Sequence, residues 1–342
     1  MFLQWGKRMK RKIVGIFICM LLIGTALPVY GLQNVGDSNI KIKPTLQPGD
    51  YLRLMFFDLQ IRSYRFYIPS SYDNTNPVPL VFVLHGYPAN SKIIMSYTEL
   101  NDKADEEGFI AVYPNGGTDI STFLYYLINF GIWGFWGFYW NSWDSYDSDD
   151  VGFIRELINK FQSEFKIDAN RIYITGWSNG GMMAYRLGAE LSDIIAAIAP
   201  VGGSIGGVWD YWEDEENHLP LYVIPEPENP LPVIVFHGMN DSSVPYGGIK
   251  NPETEEILLY SVNESVAFWV DHNDCDPIPK IDKSESGNII TSTYSNGSQN
   301  SEVILYTVVN GGHDWFGSSD APPSEISCND LIWEFFEAHP KQ

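Results

Sequence analysis

Residues 171–181 read RIYITGWSNGG, and the fold turns on how this stretch divides. Ile172, Tyr173, Ile174 and Thr175 form a β-branched and aromatic run of the length and bulk of a buried strand. From Gly181 to residue 191 the apolar spacing changes to that of a helix. Between the two lies Gly176-Trp177-Ser178-Asn179-Gly180, a match to G-x-S-x-G. Flanking glycines permit a tight strand-to-helix turn, which holds the serine strained with its hydroxyl exposed near a helix N-terminus. A glycine-rich turn with no chemistry is the plain alternative, so the rest of the chain has to decide.

Outward from this unit, short continuous apolar runs recur at 80–84, 109–113, 194–199 and 232–236, with 303–309 as a sixth candidate beside 171–175. Runs of this kind, bounded by turns, are expected of central parallel strands covered on both faces. Helical patterns fall between them at 93–107, 150–165, 181–191, 254–272 and 324–338, and 51–57 with 61–68 read as a leading hairpin. The alternation predicts one α/β domain, a doubly wound and mostly parallel sheet with helices on both faces. Residues 118–146, dense in Phe, Tyr and Trp, and residues 204–231, with an acidic run and a proline-rich return, read as insertions in the connections.

Residues 1–31 stand apart as a signal peptide, leaving 32–342 as the single catalytic domain. Lys7, Arg8, Lys10, Arg11 and Lys12 precede an apolar run of residues 13–27, too short for a membrane span of roughly 20 residues. An uncleaved anchor is the alternative. The whole chain carries 21 basic and 43 acidic side chains, a formal charge of -22, and loss of the leader makes it more negative. Nucleic acid and anionic membranes are therefore excluded as partners. Export leaves Cys275 and Cys328 as the cysteines, and one disulfide is the simple reading against two buried free thiols.

A serine hydroxyl needs a histidine to take its proton and a carboxylate to fix the tautomer of that histidine. Asp241 follows the run 232–236 and His313 follows 303–309, so Ser178, Asp241 and His313 occur in the chain order expected of this architecture. His85 and His237 end strands and read as structural residues beneath the site. His218, His272 and His339 read as solvated, and Asp314 as pointing away from its neighbour His313. Asp147, Asp149 and Asp150 lack the glycine and terminal glutamate of a calcium loop and fit helix capping better. The N–H groups of Asn179 and Tyr87, with Gly86 as the fallback, are candidate oxyanion donors. Trp177, Trp140, Trp143 and Trp315 are candidate substrate-binding side chains at the carboxyl edge of the sheet, where ligands of α/β sheets bind.

Five blocks carry a family resemblance: VFVLHGY at 81–87, DDVGFI at 149–154, DANRIYITGWSNGG at 168–181, IVFHGMNDSSVP at 234–245 and GGHDWFG at 311–317. In this order they resemble the secreted polyhydroxybutyrate depolymerase and feruloyl esterase family. The resemblance implies an α/β-hydrolase fold and a serine esterase without cofactor or metal, with Ser178, Asp241 and His313 at the triad positions. It implies a feruloyl-type or polyester substrate, polymeric forms included, and supports a disulfide at Cys275. Trp315 is followed by Phe316 where the family usually has proline, and the aromatic insertion is unusual; both bear on specificity. A serine peptidase and a non-catalytic polysaccharide-binding protein are the rival expectations.

Overall fold

A computed structural model describes residues 46–117, 139–143, 148–208 and 220–342. The leader, most of the aromatic insertion and part of the second insertion lie outside the described residues.

A hairpin of β1 (Gly49–Phe57) and β2 (Gln60–Ile68) leads into β3 (Val78–Leu84), α1 (Ser91–Thr98), α2 (Leu100–Glu107) and β4 (Ile110–Pro114). After the aromatic insertion come α3 (Asp150–Glu164), β5 (Ile167–Trp177), α4 (Asn179–Glu190) and β6 (Ala197–Val201). Short strands β7 (Gly206–Gly207) and β8 (Tyr222–Val223) precede β9 (Val233–Gly238), and β10 (Ile249–Lys250) and β11 (Ile257–Leu259) follow it. The chain closes with α5 (Val262–His272), β12 (Lys280–Lys283), β13 (Ile289–Tyr294), β14 (Val303–Val308) and α6 (Cys328–Ala338).

Ten strands form one sheet in the order β1-β2-β4-β3-β5-β6-β9-β14-β13-β12. The six from β4 to β14 run parallel, and an antiparallel pair flanks them on each side. Strand β3 explains the layering: Leu80, Phe82 and Leu84 face a core shared with α3, α4 and α5, while Val81 and Val83 face a second core shared with α1, α2 and α6. Burial on both faces is why the central strands read as unbroken apolar runs. A small sheet, β10-β11-β7-β8, gathers the described ends of the second insertion.

Three boundaries and one hairpin differ from expectation. The pattern at 93–107 is two helices, broken where Glu99 takes a left-handed conformation at φ 54°. The helix expected from 254 starts at Val262, where Ser261 and Glu264 form a capping box, and residues 257–259 instead form β11. The last helix begins at Cys328 with Ser327 as its cap. The hairpin of β12 and β13 extends the sheet beyond β14 and was not expected.

The disulfide is also corrected: Cys275 and Cys328 are free, buried thiols. Cys275 lies in the core beneath one face of the sheet and Cys328 in the core beneath the other. Burial pushes both thiols up, Cys275 to about 11, so each behaves as a small apolar side chain.

Candidate active site

Strand β5 ends at Trp177 and α4 begins at Asn179, leaving Ser178 alone between them at φ 60°, ψ -123°. A non-glycine residue pays steric strain there, on the order of 1–3 kcal/mol, and the packing around it enforces the conformation. Gly180 shows how tight that packing is, since a Cβ at this position would fall 2.2 Å from the carbonyl oxygen of Leu84. The first turn of α4 thus sits directly on the end of β3.

Asp241 follows β9 and is buried. Its Oδ1 accepts the N–H groups of Ser243 and Val244 at 2.9 and 2.8 Å, which points Oδ2 toward His313. His313 Nδ1 donates to that Oδ2 at 2.6 Å. Burial opposes ionisation of Asp241, but the bonds from His237, His313 and the Val244 N–H outweigh it and hold the carboxyl well below the usual range. Asp241 rather than Asp314 is therefore the carboxylate that fixes the His313 ring. Trp177 lies against that ring with centroids 5.0 Å apart, and Gly202, at φ 60°, leaves only 3.2 Å between a built Cβ and His313 Nδ1. Among the described residues no hydrogen bond yet joins Ser178 Oγ to His313, a contact that in resting enzymes commonly tightens only with substrate.

His237 sits beneath the pair. Its Nε2–H lies 2.8 Å from the Val244 carbonyl oxygen and 3.3 Å from Asp241 Oδ2. The expected structural role thus extends to contact with the carboxylate, four residues along in H-G-M-N-D. His85 is buried, and burial lowers it to about 4, so it stays neutral. Its Nδ1–H donates to Gly86 O at 2.8 Å while Nε2 accepts the Gly116 N–H at 3.0 Å, a fixed tautomer that leaves no ring nitrogen for base chemistry.

The turn after β3 closes the other side. A Cβ on Gly86 would lie 2.9 Å from the Trp177 ring and 3.2 Å from Ser178 Cβ, so this backbone runs against the serine. The Asn179 N–H, at the first position of α4, has no intrahelical acceptor.

Three of the four tryptophans expected to bind substrate are core residues. Trp140 and Trp315 are fully buried, and Trp143 packs with Met182, Val244 and Leu259. Trp315 uses its indole N–H on Asn329 Oδ1 at 2.9 Å and its backbone N–H on the Tyr97 hydroxyl at 3.1 Å. Trp177 alone is partly exposed, between His313 and Tyr97. Tyr97 was not foreseen; its ring lies 5.0 Å from that of Trp177.

Also unforeseen is a buried ion pair at the base of the aromatic insertion. Arg62 Nη2 on β2 meets Asp150 Oδ1 at 2.5 Å, with Phe153 beneath the guanidinium at 4.0 Å. Asp150 also accepts the N–H groups of Gly117 at 3.1 Å and Asn141 at 2.8 Å, so one carboxylate holds both ends of the excursion. Helix capping falls to Asp149, which accepts the Gly152 N–H at 2.8 Å. Asp147 and His218 lie outside the described residues, and His339 is buried rather than solvated.

A doubly wound sheet with a strained serine between strand and helix, and a histidine tied to a carboxylate at the same edge, defines an α/β-hydrolase. Residues 62–210 match the family profile described as Esterase PHB depolymerase. A probable feruloyl esterase C of Aspergillus niger is 26% identical over 336 residues, covering 94% of this chain and 98% of that protein. A bifunctional acetylxylan esterase/xylanase of Neocallimastix patriciarum is 28% identical over 194 residues, 56% of this chain but only 23% of that longer protein. The solved acetyl xylan esterase of Aspergillus awamori superposes with a TM-score of 0.56 at 15% identity, covering 84% of this chain and 99% of that one, and so supports the fold. These similarities support the polyhydroxybutyrate depolymerase and feruloyl esterase family for this chain, and with the fold they support a carboxylic ester hydrolase. No helix among the described residues is long and apolar enough to cross a membrane.

Proposed function

We propose that residues 32–342 form an exported single-domain esterase that cleaves feruloyl-type or polyester substrates through an acyl-enzyme on Ser178. Ser178 Oγ attacks the acyl carbon and its proton passes to His313 Nε2, while Asp241 holds the imidazolium that forms. Negative charge on the former carbonyl oxygen is met by the N–H groups of Asn179 and Tyr87. Collapse breaks the C–O bond to the alcohol, which leaves with the proton from His313. Water then repeats the sequence on the acyl-enzyme, releasing the acid and restoring Ser178.

The observation that carries this reading is the 2.6 Å bond from His313 to a buried carboxylate held ionised by its donors. Trp177, partly exposed beside His313, is read as a contact for a planar acyl group, since an aromatic pair adds about 0.5–1.5 kcal/mol to the burial of area. Turnover of a p-nitrophenyl acyl series beside methyl ferulate and a peptide anilide tests it. Ester cleavage that requires Ser178, with the anilide untouched, is expected. Preferential cleavage of the anilide would establish a peptidase, and no turnover of any substrate would leave a binding protein.

A further inference from the structure

The two backbone arms proposed to hold the oxyanion belong to different elements: Asn179 opens α4, and Tyr87 lies in the turn after β3. One buried residue touches both. Trp140 donates its backbone N–H to Asn179 Oδ1 at 2.7 Å and its indole Nε1–H to the carbonyl oxygen of His85 at 3.0 Å. The Asn179 amide completes the first link by donating to Ser142 Oγ at 2.9 Å. His85 completes the second, since its ring bonds Gly86 O and the Gly116 N–H and lies 5.1 Å from the Trp140 ring. A hydrogen-bonded bridge therefore runs from the residue after the serine, through Trp140, to the turn that carries Tyr87.

We infer that Trp140 is a positioning residue that sets the separation of the two oxyanion donors by bonding both arms at once. The inference rests on the acyl-transfer reading above and concerns a residue that makes no contact with substrate. Donors stabilise a developing oxyanion only when they already stand about 2.7–3.1 Å from where that oxygen will be, with no reorganisation at the moment of reaction. Two donors on separately moving segments lose that register unless something rigid spans them. Trp140 meets the need, with one N–H on the backbone and another at the far end of a stiff, buried ring. Phenylalanine would fill most of the same space and leave the His85 carbonyl without its donor.

Trp140→Phe in the full chain is the test, with p-nitrophenyl acetate as substrate. We expect kcat to fall at least tenfold with KM within twofold of the parent. A boronic acid that forms a tetrahedral anionic adduct on Ser178 should weaken by the same factor as kcat/KM, whereas inhibition by acetate, a ground-state product, should not change. Unchanged kcat overturns the inference, as does equal weakening of boronate and acetate, which would signal general loosening of the site. Should Trp140→Phe fail to fold, benzothienylalanine at position 140 keeps the shape and removes only the indole N–H, with the same outcomes deciding. Failure of the underlying reading looks different, since ester turnover would then survive Ser178→Ala in the parent chain.

Discussion

The two halves of the site are built by opposite means. On the His313 side, a formal charge sits permanently on Asp241 and is held by four donors, the N–H groups of Ser243 and Val244 and the rings of His237 and His313. On the Asn179 and Tyr87 side the framework is neutral, made of backbone groups with the buried His85 ring and Trp140 indole, while Tyr87 itself is exposed. A standing charge needs donors that stay with it through the whole cycle, whereas a transient one needs donors kept free for it. The first half is accordingly satisfied in the resting protein, and in the proposed mechanism the second reserves the Asn179 and Tyr87 N–H groups for the oxyanion.

Ser178→Ala is the largest effect this contrast predicts, because it removes the atom both halves serve. Turnover of p-nitrophenyl acetate should fall a thousandfold or more with the thermal midpoint unchanged or raised, as the positive-φ strain is not increased by alanine. Retained turnover would dissolve the contrast altogether. Asp241→Asn should come next, with a loss of roughly a thousandfold in kcat, since an amide turns the wrong group toward His313 Nδ1.

The same carboxyl makes a prediction about stability. Its folded pKa lies below its unfolded value of about 3.9, so its contribution is present above that value and is lost as pH falls through the lower, folded one. In denaturant titrations the difference between parent and Asp241→Asn should be flat above about pH 5 and shrink steadily below about pH 4. A difference that grows on acidification would mean the carboxylate is not the stabilised form.

Gly202→Ala tests the His313 side more gently. Its Cβ would adopt a left-handed backbone costing about 1 kcal/mol and press on the imidazole, so a roughly tenfold loss in kcat is expected, with boronate inhibition weakened less than kcat. The smallest expected effect is a null one at a distance from both halves: reductant should leave the thermal midpoint unchanged, and iodoacetamide should label Cys275 and Cys328 only after unfolding. Labelling of neither after unfolding without reductant would restore the disulfide.

The six parallel strands were legible because burial on two faces writes itself into every residue of a strand, as in Val78–Leu84. The Ser178 turn was legible because its glycines and the following helix are local signals, and Asp241 and His313 because each follows its own apolar run in the expected chain order. What escaped depends on distance or on direction. An aromatic in a loop has the same one-dimensional signature whether it faces ligand or core, so Trp140, Trp143 and Trp315 were placed on the wrong side of the surface. Arg62 and Asp150 are 88 residues apart and carry no mark of their pairing. Glu99 breaks a helix without glycine or proline, and Lys280–Lys283 is a fully exposed strand with no apolar alternation to announce it. Counting cysteines says nothing about which face of a sheet each one occupies.

The Arg62–Asp150 pair has an implication for how such a chain diversifies. Its carboxylate binds both the departing backbone at Gly117 and the returning backbone at Asn141, so the excursion is hafted to the scaffold like a blade to a handle. With its two roots fixed, doubling the length between them adds only about 0.6 kcal/mol of closure entropy. Evolution, or an engineer grafting a loop from a cousin, can exchange the blade while the handle keeps its grip, provided the graft ends in a tryptophan where Trp140 stands.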